Sequence, residues 1–222
     1  MMNEDGKEAL HVDFGRGMWN RSEWINVKSS RWDYVKDFVQ EDDHITNPCP
    51  DLPDEEIYAN HVTDIYTSMV YGRKFEAKAR ISSVMSFDHL MAPLIVIAPR
   101  LGADDKGRPE FREHHEIVLY NEGINVWHYV FEDGKAKWHL AAFLRAPFEA
   151  KRKYDLEITL ENRRGQVQMD IYCGGYHFGY QDESLPDSFY AGITACEGRN
   201  RFYDFRVTTG LPALDPAADG EH

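Results

Sequence analysis

The segment HHEIVLYNEGINVWHYVF, from His114 to Phe131, brings together residue types that can stack on a ligand and transfer protons. Its Glu122 and Gly123 predict a tight turn between two antiparallel strands, with Asn121 opposite Ile124. Side-chain alternation then separates an aliphatic face from a mixed aromatic and polar face. The aliphatic face holds His115, Ile117, Leu119, Val126, His128 and Val130, and the mixed face holds His114, Glu116, Val118, Tyr120, Asn125, Trp127, Tyr129 and Phe131.

The mixed face has the chemistry of a saccharide-binding surface. Sugars present apolar C–H faces that stack on aromatic rings and hydroxyls that need paired donors and acceptors. Trp127 is the predicted stacking platform, Tyr120 and Tyr129 extend it, and Asn125 is a predicted hydroxyl partner. The alternative is that the rings pack against a neighbouring loop and the polar groups are only solvated.

His114 and Glu116 share this face, whereas His115 points to the other one. A histidine and a carboxylate within reach of one glycosidic oxygen can act as acid and base near neutral pH. His114 and Glu116 are therefore the candidate catalytic pair. Both are also predicted to bind sugar hydroxyls. An ordinary surface pair is the alternative.

The next strand, in Lys137 to Phe148, extends the predicted site. Strict alternation places His139, Ala141, Phe143 and Arg145 on one side, and the other side, with Trp138 and three aliphatic residues, is expected to face the core. His139 and Arg145 would join the mixed face, where the planar fork of an arginine could bind a hydroxyl pair or a carboxylate. A solvated surface arginine is the alternative.

Alternating patterns bounded by Gly, Asn, Asp and Pro recur between residues 70 and 208 and predict an all-β, two-sheet antiparallel β-sandwich. One domain is predicted over residues 1–210, with a tail at 211–222. Trp32 to Gln40 is predicted as a short hairpin that turns at Lys36 and Asp37, and Thr67 to Tyr71 as a strand. The other predicted strands or hairpins are Phe75 to Ser83, Ala92 to Pro99, His114 to Phe131, Lys137 to Phe148, Tyr154 to Glu161, Gln166 to Cys173 and Arg201 to Thr209.

Two polar segments are predicted as loops. Gln40 to Glu56 carries three prolines and seven carboxylates, and such long connections are usually functional or disordered. Disorder or plain solvated surface is the expectation for it, and Ala103 to Glu110 resembles it in composition.

The composition narrows the partners. The formal net charge of -13 disfavours nucleic acid, and no stretch approaches the roughly 20 apolar residues of a membrane span. The acidic and polar first residues lack the pattern of a secretory signal, so a cytoplasmic location is expected. Three widely spaced cysteines suggest reduced thiols. No diagnostic metal-ligand spacing occurs among Asp42, Asp43, His44, His61, Asp64, Asp88 and His89.

The run YAGITACEGRNRFYDFRV, from Tyr190 to Val207, resembles the closing strands of the concanavalin A-like lectin and glucanase superfamily. Phe202, Asp204, Phe205 and Val207 fill its F-x-D-F-x-V pattern, and the hairpin before it also resembles that superfamily. The resemblance covers roughly residues 70 to 208. It implies a jelly roll, related to galectins, with a carbohydrate as ligand, and a role for Asp204 in packing or in a structural calcium site.

One departure limits the activity that the resemblance implies. The retaining glucanases carry E-x-D-x-x-E on one strand, whereas Glu116 and Glu122 are six residues, or about 20 Å, apart along a strand. The resemblance to the superfamily includes a branch of 3-keto-disaccharide hydrolases, in which one acid and one base suffice. Two hypotheses remain: a lyase or hydrolase that cleaves a small glycoside, including a 3-keto sugar, and a non-catalytic lectin-like binding protein.

Overall fold

A computed structural model describes residues 7–50, 52–60 and 66–210. The described residues form strands, one short α-helix, α1 (Asp54–Asn60), and one 3-10 helix (Arg21–Glu23). The strands are β1 (Lys7–Asp13), β2 (Trp24–Asn26), β3 (Val39–Gln40), β4 (Ile45–Thr46), β5 (Thr67–Tyr71), β6 (Phe75–Glu76), β7 (Ala79–Phe87), β8 (Met91–Ala103), β9 (Pro109–Tyr120), β10 (Gly123–Glu132), β11 (Lys135–Arg145), β12 (Tyr154–Arg163), β13 (Gln166–Cys173), β14 (Tyr176–Gln181), β15 (Ser188–Ala195), β16 (Asn200–Phe202) and β17 (Asp204–Thr209).

The strands form two antiparallel sheets, which confirms the predicted sandwich. The nine-stranded sheet has the order β14-β13-β12-β7-β16-β4-β3, with β17 also on β7 and β1 on β17. The eight-stranded sheet has the order β11-β10-β9-β8-β15-β5-β2, with β6 on β15. The neighbours β8, β9, β10 and β11 therefore place the predicted site in the eight-stranded sheet.

The core lies between the sheets, because each sheet turns one set of alternating apolar side chains inward. β-Branched and aliphatic residues dominate this set, and burying one such side chain contributes roughly 1.5–3 kcal/mol. Fully buried members from the eight-stranded sheet are Ile95, Ile97, Ile117, Leu119, Ile124 and Val126, and from the other sheet Ile81, Leu156, Ile158, Leu160 and Met169.

The outer face of the eight-stranded sheet is also partly covered. A segment from Val27 to Tyr34, here called the strap, crosses it above a second apolar cluster that includes Val70, Leu94 and Phe111. The Val27 amide donates to Ser68 O at 3.0 Å, and the Lys28 amide donates to the Pro109 carbonyl at 2.8 Å. A buried ion pair between Lys28 Nζ and Glu110 Oε1, 2.6 Å long, fixes the strap to β9.

The predicted hairpin over Trp32 to Gln40 is wrong, because only β3 at its end is a strand. The backbone of the strap bonds mainly to Ser68, Pro109 and Phe111, and Asp37 accepts from the side chains of Arg21 and Asn26 instead of lying in a hairpin turn.

The acidic segment Gln40 to Glu56 is more ordered than predicted. Ile45 is fully buried in β4, which pairs with β16, and Asn47 donates to Gly198 O at 2.8 Å and accepts from the Asn200 amide at 2.9 Å. The buried isoleucine and the hydrogen-bonded asparagine thus order this segment in spite of its polar composition. Asp51 lies outside the described residues.

The second polar segment is a loop as predicted, although a shorter one: β8 ends at Ala103, residues 104–108 form the turn, and β9 begins at Pro109. Residues 211–222, with the predicted tail, and His61 and Asp64 lie outside the described residues. In the described part of the chain, no helix has the length and apolarity needed to cross a bilayer.

Candidate functional site

The β9–β10 hairpin carries the predicted site residues. Its register pairs Tyr120 with Gly123, so the turn lies at Asn121 and Glu122, one residue earlier than predicted. The difference shifts the cross-strand pairing by two residues, which preserves both predicted faces. A glycine is needed at 123, because a Cβ there would lie 2.0 Å from the Leu144 carbonyl oxygen of β11.

The mixed face forms the floor and one wall of a cleft of about 290 Å³. This volume is close to the lower end of the range for small-molecule sites, roughly 300–1,000 Å³. The strap and the segments before β5 and after β15 close the other sides. The lining residues are Arg31, Trp32, Tyr66, Ala92, Leu94, Glu116, Val118, Tyr120, Asn125, Trp127, Tyr129, Trp138, Cys196 and Glu197.

Glu116 is a carboxylate buried in the cleft lining, with a residue exposure of 6%. Its Oε1 accepts from the Tyr66 hydroxyl at 3.3 Å and lies 3.2 Å from His114 Nε2. Its Oε2 has no hydrogen-bond partner among the described residues, which leaves this oxygen for a ligand. Burial and the Glu116 charge raise the pKa of Tyr66 well above its ordinary value, so this phenol stays protonated as a donor.

His114 lies behind the cleft wall. Its ring stacks between Phe111 and Tyr129, with centroid distances of 4.4 and 4.8 Å, and the residue is 2% exposed. It does not line the cleft, and its Nδ1 has no partner in the part of the chain that the structure describes. His114 is therefore connected to the cleft only through Glu116, whereas the sequence hypothesis placed it in direct contact with the substrate.

Aromatic rings form the cleft wall around Trp127. The rings of Tyr129 and Trp138 stack with their centroids 6.1 Å apart, and Arg31 Nη1 donates to the Tyr129 hydroxyl at 3.4 Å. The Arg31 guanidinium carbon lies 5.1 Å from the Trp32 ring centroid and 5.3 Å from that of Trp138. Burial, with a smaller effect from Glu116, raises the pKa of Tyr129, so this hydroxyl also stays protonated.

The structure brings five of the predicted residues to the cleft, namely Glu116, Tyr120, Asn125, Trp127 and Tyr129. The prediction for His139 is wrong: it pairs with His128, and its ring contacts the His128 ring at 5.4 Å on the opposite face. Arg145 is on the outer side of the sheet but outside the cleft, where it pairs with Glu122 at 3.6 Å.

A β-bulge explains the error for His139. The register of β10 with β11 shifts between Val126 and Trp127, so Leu140 pairs with Trp127 and Ala142 with Val126. The bulge inverts the faces of the β11 residues that precede it in the sequence. Trp138 therefore lies on the cleft side and His139 on the inner side. Strict alternation had placed Trp138 toward the core, yet it is 51% exposed.

Sequence reasoning missed the lining residues that do not belong to the hairpin. Arg31 and Trp32 come from the strap, Tyr66 precedes β5, and Cys196 and Glu197 follow β15. The density of aromatic residues in RWDYVKDF was the available signal for the strap. The other three positions had no local pattern, because only the order of strands in the sheet brings them to the cleft.

The described residues contain no group of three or more His, Cys, Asp or Glu that could hold a metal ion. Asp204, the predicted candidate for a packing or calcium role, accepts from the Val84 amide at 2.7 Å and pairs with Arg206. Its carboxylate is therefore engaged in holding β17 to β7.

Comparisons with solved structures identify the fold. A β-agarase B, solved as an inactivated mutant with agaro-octaose, superposes with a TM-score of 0.58 at 6% identity, over 90% of this chain and 90% of its own. A glycoside hydrolase family 16 endo-glucanase from Bacteroides ovatus gives 0.56 at 6%, over 89% and 99%. The fold is the concanavalin A-like jelly roll.

The carbohydrate-binding module CBM66 from Bacillus subtilis shares this jelly roll, with a TM-score of 0.55 at 11% identity over 84% of this chain and 96% of the module. No protein-family model and no curated protein sequence matches the chain. The resemblance read from the closing strands is thus confirmed for the concanavalin A-like fold, and identities this low carry no activity.

Proposed function

We propose that the cleft binds a small glycoside and that Glu116 cleaves its glycosidic bond by acid/base chemistry, as a hydrolase or a lyase. One observation carries this proposal: a buried carboxylate with one oxygen left for a ligand lines a cleft walled by aromatic rings. The solved structures of the same fold include a glucanase, an agarase with a bound oligosaccharide and a carbohydrate-binding module, which supports a saccharide ligand.

The binding step uses the aromatic wall. Trp127 offers a face for the C–H side of a sugar ring, and Asn125 offers both a donor and an acceptor to hydroxyls. The protonated Tyr129 hydroxyl accepts from Arg31 and so has its own proton left to donate, whereas the Tyr66 proton is used on Glu116. The small volume favours one or two sugar units over a long chain.

The proton-transfer step uses Glu116, whose Oε2 is available to the ligand. His114 and Tyr66 both contact Oε1 and so fix the orientation of the carboxylate. Such a pair of contacts positions an acid/base group within the narrow geometry that proton transfer requires. Glu197 is a second carboxylate in the lining and is the candidate partner acid or base.

The second candidate function is a lectin-like protein that binds without cleavage. The likeness to a carbohydrate-binding module favours it. The aromatic wall and Asn125 suffice for binding alone.

Incubation of the purified protein with a panel of glycosides and their 3-keto forms, with products resolved by chromatography, tests the proposal. Glu116→Gln should lower turnover at least about 100-fold and retain binding in calorimetry. Glu113→Gln is the matched control, since Glu113 forms the same kind of pair with His128, at 3.1 Å, on the inner face.

Three outcomes are decisive. Turnover that disappears in Glu116→Gln and persists in Glu113→Gln supports the enzyme. Binding without turnover of any substrate supports the lectin-like protein. Absence of binding to every saccharide contradicts both functions.

A further inference from the structure

Arg31 is a positive charge in the cleft without an ion-pair partner among the described residues. The chain has 38 Asp and Glu against 25 Lys and Arg, and most of the other described arginines pair with carboxylates. Arg112 pairs with Glu110 at 3.1 Å, and Arg163 pairs with Glu161 at 3.1 Å. In so acidic a chain, an arginine that lines a cleft and makes no ion pair within the described residues is suited to bind a carboxylate supplied by a ligand.

The backbone around Arg31 is held in place by the strap. The Arg31 amide donates to Ser29 Oγ at 3.2 Å. On the N-terminal side of Arg31, the buried Lys28–Glu110 pair anchors the strap. On the other side, Lys106 Nζ donates to Asp33 Oδ2 at 2.9 Å, and Arg108 also pairs with Asp33. These contacts lower the pKa of Asp33 to about 2, so its carboxylate is charged at neutral pH and keeps both partners.

The guanidinium itself is oriented by three rings and has donors to spare. Trp32 and Trp138 lie within cation–π distance of it, and one N–H bonds to Tyr129. A guanidinium has five N–H donors in a planar fork that matches a carboxylate, so the remaining donors allow a bidentate pair. The apolar rings reduce the local water and thereby strengthen such a pair.

We propose that the saccharide bound in this cleft carries a carboxylate, as a hexuronic acid does, and that Arg31 binds this carboxylate. The inference rests on the proposed function and adds the class of ligand to it. Glu116 and Arg31 carry opposite charges within one lining, which sets the orientation: the carboxylate lies at Arg31 and uncharged hydroxyls lie at Glu116. The net charge of -13 does not prevent this, because distant charges are screened within about 8 Å at physiological salt.

Calorimetry with a hexuronate disaccharide and its neutral, carboxyl-reduced counterpart tests the inference. The wild-type protein should bind the acid at least about tenfold more tightly, and the difference should shrink as salt is raised. Arg31→Met should remove the preference, and Arg31→Lys, which keeps the charge but loses the planar fork, should retain part of it. Arg164→Met is the matched control, because it makes the same charge change in the exposed β12–β13 turn.

Equal affinity of the wild-type protein for the acid and for its reduced form would overturn the inference and leave the proposed function standing. A preference that persists in Arg31→Met would overturn it too. If neither disaccharide binds and no neutral glycan of the panel binds, the proposed function and this inference fail together.

Discussion

The two faces of the eight-stranded sheet are closed in different ways. The inner face packs aliphatic side chains such as Ile117 and Val126 against the other sheet, and both are fully buried. The outer face is covered in part by the strap, which an ion pair and backbone hydrogen bonds attach. The apolar packing of the inner face leaves no room for a ligand. On the outer face, the strap covers one part and leaves a cleft beside it.

Two consecutive histidines show what this difference means for chemistry. His115 on the inner face stacks on His128 at 4.5 Å, and its Nε2 lies 3.2 Å from Ser184 Oγ. His114 on the outer face contacts Glu116, which reaches the cleft. One step along a pleated strand therefore separates a histidine sealed in the core from one that can act on a ligand through its partner.

The largest effect is expected from the attachment of the strap. Lys28→Met leaves Glu110 buried with only Arg112 as its ion-pair partner, and loss of one partner of a buried pair costs about 3–5 kcal/mol. Urea unfolding should show this loss together with weaker saccharide binding. The exposed pair of Lys137 with Glu132 is the control, since Lys137→Met should change stability by less than about 0.5 kcal/mol. An unchanged unfolding midpoint for Lys28→Met would contradict the role given to this pair.

A smaller effect is expected from acid on the inner face. Burial, and then the neighbouring His128, lower the pKa of His115 from 6.5 to about 3. Between these pH values the unfolded chain takes up a proton at this histidine that the folded chain does not. The stability that neutral His115 provides is therefore complete above pH 6.5 and is lost as the pH falls, by on the order of 3 kcal/mol at pH 4.

Urea unfolding between pH 7 and pH 4 measures this loss. The slope of stability against pH should be smaller in His115→Gln than in the wild-type protein. His11→Gln, at an exposed position of β1, should keep the wild-type slope. Equal slopes in all three proteins would show that His115 is not the group responsible.

The difference between the faces also separates what the sequence could predict from what it could not. The faces of the β9–β10 hairpin followed from alternation, and they survived an error in the turn because a two-residue shift in pairing keeps each side chain on its face. His139 was misplaced because a bulge leaves no clear mark in sequence. Arg31 and Tyr66 were missed because residues far apart in sequence meet only through the strap and the strand order.

A moderate effect is expected from the cleft wall. Trp127→Ala should weaken saccharide binding by about 2 kcal/mol, or roughly 30-fold in Kd, because a stacking surface is lost. Phe143→Ala is the matched control: Phe143 lies on the same side of the sheet and is 56% exposed, but it does not line the cleft. Calorimetry should find its Kd within about twofold of the wild type. If both variants lose affinity equally, the binding surface extends over β11 and is not confined to the cleft.

The smallest effect is expected from the histidine behind the cleft. His114→Phe keeps a ring between Phe111 and Tyr129 and removes the contact with Glu116. In the turnover assay kcat should fall about tenfold while KM stays within about twofold, since Glu116 loses orientation and the binding wall is intact. Stability should not fall, because the change also removes the unpartnered Nδ1 from a buried site. A rise in KM at constant kcat would instead mean that His114 supports binding and does not orient Glu116 for proton transfer.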